Sequence, residues 1–203
     1  VIGAGMSGLL AAIRLEEAGV PYVVIEKNEG VGGTWFENSY PGCRVDVANH
    51  FYSYSFAPNH DWPEFFSRRD ELHRYFDRCA TDYGTRPHIR FGTEVLSARF
   101  DEGTARWTVR VRDAAGREES IVATAVISAV GQLNRPKVPD IPGLDTFTGP
   151  VFHSARWEHQ HALDGRRIAV IGTGASAFQI VPELAARASH LVVFQRSAPW
   201  MVP

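Results

Sequence analysis

Apolar positions along the first 27 residues change period twice. Val1 and Ile2 are strand-like and run into a turn with glycines at positions 3, 5 and 8. Beyond the turn, Leu9, Ala12, Ile13 and Leu15 recur at the spacing of a helix with one apolar face, and Gly19 ends it. Val23, Val24 and Ile25 are an unbroken apolar run, suited to a buried parallel strand. The pattern predicts strand, tight turn, helix, strand.

Residues 29–46 show no period and carry turn signals at Gly32-Gly33 and Pro41-Gly42. A loop this long inside a compact domain usually carries function. An aromatic tract follows (Phe51, Tyr52, Tyr54, Phe56, Trp62, Phe65, Phe66) and reads mainly as a packed patch. Some of these rings could instead wall off a flat aromatic cofactor. Helical spacing returns over residues 67–83, with Leu72, Tyr75, Phe76, Cys79 and Tyr83 on one face. Ser67 is the predicted cap, Asp70 and Glu71 favour the first turn, and Gly84 is the stop. Cys79 on the apolar face reads as an inert core thiol.

The period then falls to two. Strands are predicted at 88–91, 94–100, 105–112 and 118–123, with a hairpin turn at Asp113–Gly116, together a β-meander. Residues 124–130 read as a buried strand ending on Gly131, where backbone can lie beside a bound nucleotide. Four prolines between positions 135 and 150 mark a stiff connection. The opening then recurs. Val170–Gly174 matches Val1–Gly5, a helix is predicted over 175–187 with Pro182 as an interruption, and a strand over 191–194. The predicted fold class is α/β: two dinucleotide-binding Rossmann-like domains, with the β-meander inserted in the first. The predicted boundaries are 1–140, a connection at 141–164, and 165–203. Both domains are expected to be incomplete, since Val1 already lies inside a strand and the second unit holds only its opening portion.

The glycines have separate tasks. Gly3 permits the turn out of the strand, Gly5 lets backbone approach a pyrophosphate, and Gly8 lets helix and strand pack closely. The helix N-terminus aims bare N–H groups at the phosphates. Glu26, followed by Lys27, sits where a carboxylate can take both hydroxyls of a free ribose, as in FAD. In the second unit Gly172 and Gly174 repeat the turn and Ala177 replaces the third glycine. Gln195, Arg196 and Ser197 stand where the acid would be, at the same separation from the turn. A carboxylate there would repel a 2′-phosphate, whereas an arginine and a hydroxyl would bind one, so NADPH is expected.

Of the 203 residues, 44% are hydrophobic and 22% charged, an ordinary globular balance. The net charge of -2 gives no reason to expect a nucleic-acid partner. No apolar run reaches membrane-spanning length, and a cytoplasmic location is expected; the lack of a visible leader says little, since Val1 already lies inside the first strand. Cys43 and Cys79 form no CxxC pair, which argues against a disulfide reductase. An FAD site and an NADPH site in one chain imply hydride transfer from nicotinamide to flavin, with an acceptor still to be named.

Two longer stretches name one. Phe147, Gly149, His153 and Trp157 fill the fixed places of FxGxxxHxxxW, and residues 32–46 fit GGxWxxxx(F/Y)PGxxxD throughout. Carrying these, the chain resembles the class B flavin monooxygenases, and within them the Baeyer–Villiger monooxygenases. The wording around the second pattern is most similar to the branch acting on aryl and alkyl ketones. Glu158 departs from the Pro or Asp that this family has after the tryptophan. Sister enzymes that oxidise amines and sulfides carry Tyr or Phe where this chain has Trp157.

The resemblance implies that NADPH reduces FAD, oxygen adds to give a flavin peroxide, and its attack on a ketone yields an ester or lactone. Ketone and O2 are the implied partners; the oligomeric state is open. It implies that Gly3, Gly5, Gly8 and Glu26 hold the FAD adenosine and pyrophosphate. Gly33, Thr34, Trp35, Asp46 and Tyr52 would lie along the flavin half, with Val95 at the adenine. Thr173, Gly174, Ser176, Gln179, Arg196 and Ser197 would hold NADPH. Asp46 is the candidate catalytic residue, pairing in the family with an active-site arginine that no residue here matches. His153 is expected to couple nucleotide binding to movement rather than to transfer protons, and no metal is expected. Two other readings remain: an N- or S-oxygenating flavin monooxygenase, and a non-catalytic nucleotide-binding fragment.

Overall fold

A computed structural model describes residues 1–200; residues 201–203, which the sequence reading counts in the second nucleotide domain, lie outside the described residues. The chain divides into two compact units. One comprises Val1–Phe36 with Leu72–Asn134, and the other comprises Glu37–Glu71 with the residues from Arg135 onward. The segment 37–71 thus clusters with the residues from Arg135 onward.

In the first unit, helix α1 (Met6–Glu17) buries Gly8, Leu9, Ala12 and Ile13. It ends where the Gly19 and Val20 N–H groups bond the Glu16 and Leu15 carbonyls, with Gly19 at φ +63. Strand β1 (Val24–Ile25) follows. After the short helix α2 (Thr34–Glu37) comes α3 (Arg69–Asp82), which buries Leu72, Tyr75, Phe76, Cys79 and Ala80. Removing one such large side chain from water contributes about 1.5–3 kcal/mol. The helix starts two residues after Ser67. That hydroxyl is no cap; it accepts the side-chain N–H of buried Asn49, which needs a partner of its own.

Strand β2 (Ile89–Arg90) corrects the predicted meander. It pairs in parallel with β1, Val24 opposite Ile89. Ile2 bridges in parallel to Ile25 on one side and to Ser128 on the other. The strand order is thus 89–90, 24–25, 2, 128, all parallel, with the opening segment in the interior. The meander has three strands, β3 (Thr93–Asp101), β4 (Arg106–Asp113) and β5 (Glu118–Ala123), in that order. Val109 and Val111 of β4 pack with Ile25, and Val95, Trp107, Ile121 and Val126 close around them. This cluster fastens the meander to the parallel strands. The predicted buried strand at 124–130 is only a single bridge. It bonds to Ile2 through one edge, and Ile127 and Val130 are 42% and 48% exposed. An apolar run is buried only where both its faces are covered.

In the second unit, β6 (Arg167–Ile171) and β7 (His190–Phe194) pair in parallel through all five residues. Helix α4 (Ala175–Ala185) runs through Pro182 without a break. Ile180 and Leu184, on either side of the proline, are buried, which offsets the lost backbone bond. In the connecting segment the Nδ1 of His153 accepts the Ala155 N–H and caps the turn at Ser154–Arg156. Trp157 meets the Phe152 ring edge-on at 5.1 Å, and a Cβ at Gly149 would lie 2.6 Å from the Phe147 ring. These fingerprint residues are thus also the packing of the connection.

A Cβ at Gly8 would sit 1.9 Å from the Gly3 carbonyl oxygen, whereas a Cβ at Gly174 meets nothing within 4 Å. Gly8→Ala is therefore expected to cost about 1–3 kcal/mol, as overpacked sites do, and to lower Tm by roughly 2–12 °C. Gly174→Ala should stay within about 0.5 kcal/mol of the parent. Thermal unfolding of the two variants checks this; equal melting temperatures would contradict it.

Candidate functional site

The first glycine turn is built by backbone contact. Gly3 takes φ +96 and its N–H bonds the Ile25 carbonyl at 2.8 Å, tying the turn to the end of β1. Gly5 stands at the N-cap of α1, which has no side-chain cap hydrogen bond, and the N-terminus of a helix suits an anion. Gly33, at φ +54, lies against Gly5: a Cβ on either would be 3.0–3.4 Å from the Cα of the other. The Gly32 N–H also bonds the Ala4 carbonyl at 3.0 Å. Two stretches that the sequence treats separately, the first turn and the GGxW loop, thus form one cradle free of side chains. Trp35 is buried beside it, and Thr34 is exposed at the start of α2.

Glu26 is only 4% exposed. One carboxylate oxygen accepts the Ala4 N–H at 2.7 Å and the other accepts the Asn28 N–H at 2.8 Å. The acid thus fixes the turn to the strand end and retains lone pairs for two ribose hydroxyls. The next residue, Lys27, is exposed. Val95 lies at an irregularity in the β3–β4 ladder, between Val95 and Ser97, and contributes its side chain to the core cluster. Gly131 is exposed at φ +73, just past the bridge at Ser128. A backbone cradle, a helix N-terminus with no side-chain cap and a buried acid at the adjoining strand end together fit an adenosine pyrophosphate.

The second turn is more open. Gly172 takes φ +107 and bonds the Phe194 carbonyl at 2.8 Å; an added Cβ at Gly172 or Gly174 meets nothing within 4 Å. The Thr173 hydroxyl donates to the Ser197 carbonyl at 3.3 Å. Arg196 and Ser197 are exposed immediately beyond β7, so the turn and the predicted phosphate-recognising residues are neighbours.

The loop carrying Asp46 is pinned within the second unit. The Val45 N–H bonds the Ser67 carbonyl and the Arg69 N–H bonds the Cys43 carbonyl, at 3.0 and 2.9 Å. On its other side the Tyr40 hydroxyl donates to Gln179 Oε1 at 3.0 Å. Burial pushes the Tyr40 hydroxyl above its usual pKa, partly opposed by a hydrogen bond with Ser176. Burial likewise raises the Cys43 thiol. Asp46 itself is exposed, and Tyr52 is half-buried next to the turn at Asn49–Phe51. A cavity of about 420 Å³ beside this loop is lined by Ser39, Tyr40, Cys43, Arg68, Arg69 and His159, among others. The roles of Tyr40 and Gly42 were not drawn from the sequence, although the YPG of the second fingerprint was their signal.

A family model described as flavin-binding monooxygenase-like (FMO-like) matches residues 1–203. A Baeyer–Villiger monooxygenase of Streptomyces coelicolor is 50% identical over 205 residues, covering all of this chain and 38% of the relative. The structure of OTEMO in complex with FAD and NADP superposes with TM-score 0.90 at 39% identity, over all of this chain and 39% of that one. An ε-caprolactone-bound cyclohexanone monooxygenase gives TM-score 0.89 at 37% identity, over all of this chain and 40% of its own. The chain thus spans well under half of the proteins it matches, and it belongs to the flavin-binding monooxygenase-like family.

Proposed function

We propose that this chain forms the nucleotide-binding part of a Baeyer–Villiger monooxygenase that uses FAD, NADPH and O2. The overall reaction takes ketone, O2, NADPH and a proton to ester or lactone, water and NADP+. The observation that carries the reading is the pair of glycine turns with opposite chemistry after them: buried Glu26 after the first, exposed Arg196 and Ser197 after the second. The likeness to OTEMO with FAD and NADP and to a cyclohexanone monooxygenase holding ε-caprolactone, a lactone, supports the same assignment.

Bound FAD would supply the two-electron and oxygen chemistry. The chain's residues supply position and charge. Gly3, Gly5, Gly8 and Gly33 admit the pyrophosphate, and Glu26 accepts the ribose hydroxyls. Thr34, Trp35, Asp46, Tyr52, Val95, Lys27 and Gly131 belong to the same proposed FAD site. Gly172, Thr173, Gly174 and Ser176 line the NADPH site, where Arg196 and Ser197 take the 2′-phosphate; the Gln179 carboxamide, expected there from the sequence, is instead bonded to Tyr40 and the Arg44 backbone. The Asp46 carboxylate would orient a cation aimed at negative charge developing on the reacting oxygen. Trp157 at the last fingerprint place favours ketones over amines and sulfides. No helix among the described residues is long and apolar enough to cross a membrane; action on a small ketone in the cytoplasm is part of the proposal.

Three outcomes follow for the full-length protein. Supplied with NADPH, O2 and a ketone, an amine and a sulfide in parallel, it should convert the ketone to an ester or lactone; oxygenation of the amine or sulfide alone would overturn the reading. Arg196→Ala should raise the Kd for NADPH about 10- to 100-fold, the worth of one charge-assisted hydrogen bond, and leave NADH nearly unchanged. Equal losses for both cofactors would remove Arg196 from the phosphate. Glu26→Gln turns an amide N–H toward a backbone N–H. It should weaken FAD binding at least about tenfold and destabilise the fold by about 1–3 kcal/mol, read by flavin release and thermal unfolding.

A further inference from the structure

The carboxamide of Gln179 is committed to the fingerprint loop. Its Oε1 accepts the Tyr40 hydroxyl and the Arg44 N–H, both at 3.0 Å, and its Nε2 donates to the Arg44 carbonyl at 3.0 Å. The two bonds with Arg44 form a closed pair of the kind one strand makes with another. A carboxamide can accept two hydrogen bonds and donate two, so three of its four places are taken. The loop backbone also lies flush on α4. Gly42 takes φ +77, and a Cβ there would be 2.4 Å from the Gln179 carbonyl oxygen and 3.0 Å from Glu183 Cγ. Asp46 follows Arg44 by two residues, and Gly174, the cap of α4, precedes Gln179 by five.

We infer that Gln179 is a positioning residue, whose carboxamide clamps the backbone of Arg44 to α4 and so couples the Asp46 loop to the second nucleotide turn. Tyr40 completes the clamp by holding Oε1, and Gly42 permits it by lacking a Cβ. This deepens the proposed function, because the helix opened by the NADPH turn and the loop bearing the candidate catalytic acid then share one hydrogen-bonded joint. A ligand that orders α4 would order the Arg44–Asp46 backbone as well.

The test has one arm that needs no cofactor. In the full-length protein, amide exchange at Arg44 should be at least about tenfold faster in Gln179→Ala, because the accepting oxygen is gone. Gln179→Glu keeps both acceptor bonds and loses the donor, so its exchange should lie between parent and Gln179→Ala; it also serves if the alanine variant folds poorly. Unchanged exchange at Arg44 in both variants overturns the clamp. The second arm is NADP+ affinity by calorimetry. Tyr40→Phe, which leaves every Gln179 atom in place, should weaken binding about threefold or more. Adding it to Gln179→Ala should cost less than about twofold further, since the two act through one joint. If Tyr40→Phe and Gly42→Ala both bind NADP+ like the parent while Gln179→Ala does not, Gln179 is a direct ligand and the inference fails. If the parent protein binds no NADP+, the proposed function fails, and the exchange arm alone decides the clamp.

Discussion

Backbone must touch backbone at a few points of this chain, and everything else is arranged to allow it. The Gly3 carbonyl lies where a Gly8 side chain would be, the Gly5 and Gly33 backbones face each other, and the Gly42 backbone rests on α4. A single methyl group at Gly8 or Gly42 would force the turn, the loop or the helix aside. Close approach brings N–H groups together with no side chain in front of them, which a pyrophosphate requires. It also leaves buried polar groups that must be satisfied. Glu26 and Gln179 meet that need, each bonding the backbone of a segment distant in sequence.

The two glycine turns use the same geometry to different ends. After the first, the acid is buried and held by two N–H groups, which under the proposed function makes it a fixed acceptor for neutral hydroxyls. After the second, Arg196 is exposed at the end of β7, free of the desolvation cost that burying a lone charge would bring. On the proposed reading, one turn suits a ribose diol and the other a phosphorylated ribose. In a family of flavin-binding monooxygenases, that division of labour is what hydride transfer from a nicotinamide to a flavin needs.

Much of this was legible in the residues because the signals are local. Helical spacing over Leu9–Leu15, the stop at Gly19, the alternation in β3 to β5 and the repeat of the glycine turn all report on neighbours within a few positions. Where the sequence misled, the deciding partner was distant. The segment 88–91 alternates like a meander strand but pairs with β1. Ser67 has the chemistry of a cap but serves Asn49. Residues 124–130 are apolar enough for a buried strand but bond through one edge. Pro182 should break a helix, yet the packing of Ile180 and Leu184 keeps it whole. At the site, the contact of Gly5 with Gly33 and of Gly42 with α4 had no period to betray it. Only the fixed spacing of the fingerprints marked those loops.

Calorimetric titration of the full-length protein with FAD and NADP+, in either order, tests the central claim most directly. Two turns of unlike preference predict one equivalent of each bound, with neither displacing the other and NAD+ a poor substitute in the second site. Mutual displacement of FAD and NADP+, or two equivalents of FAD, would contradict the assignment of separate sites to the Glu26 and Arg196 turns.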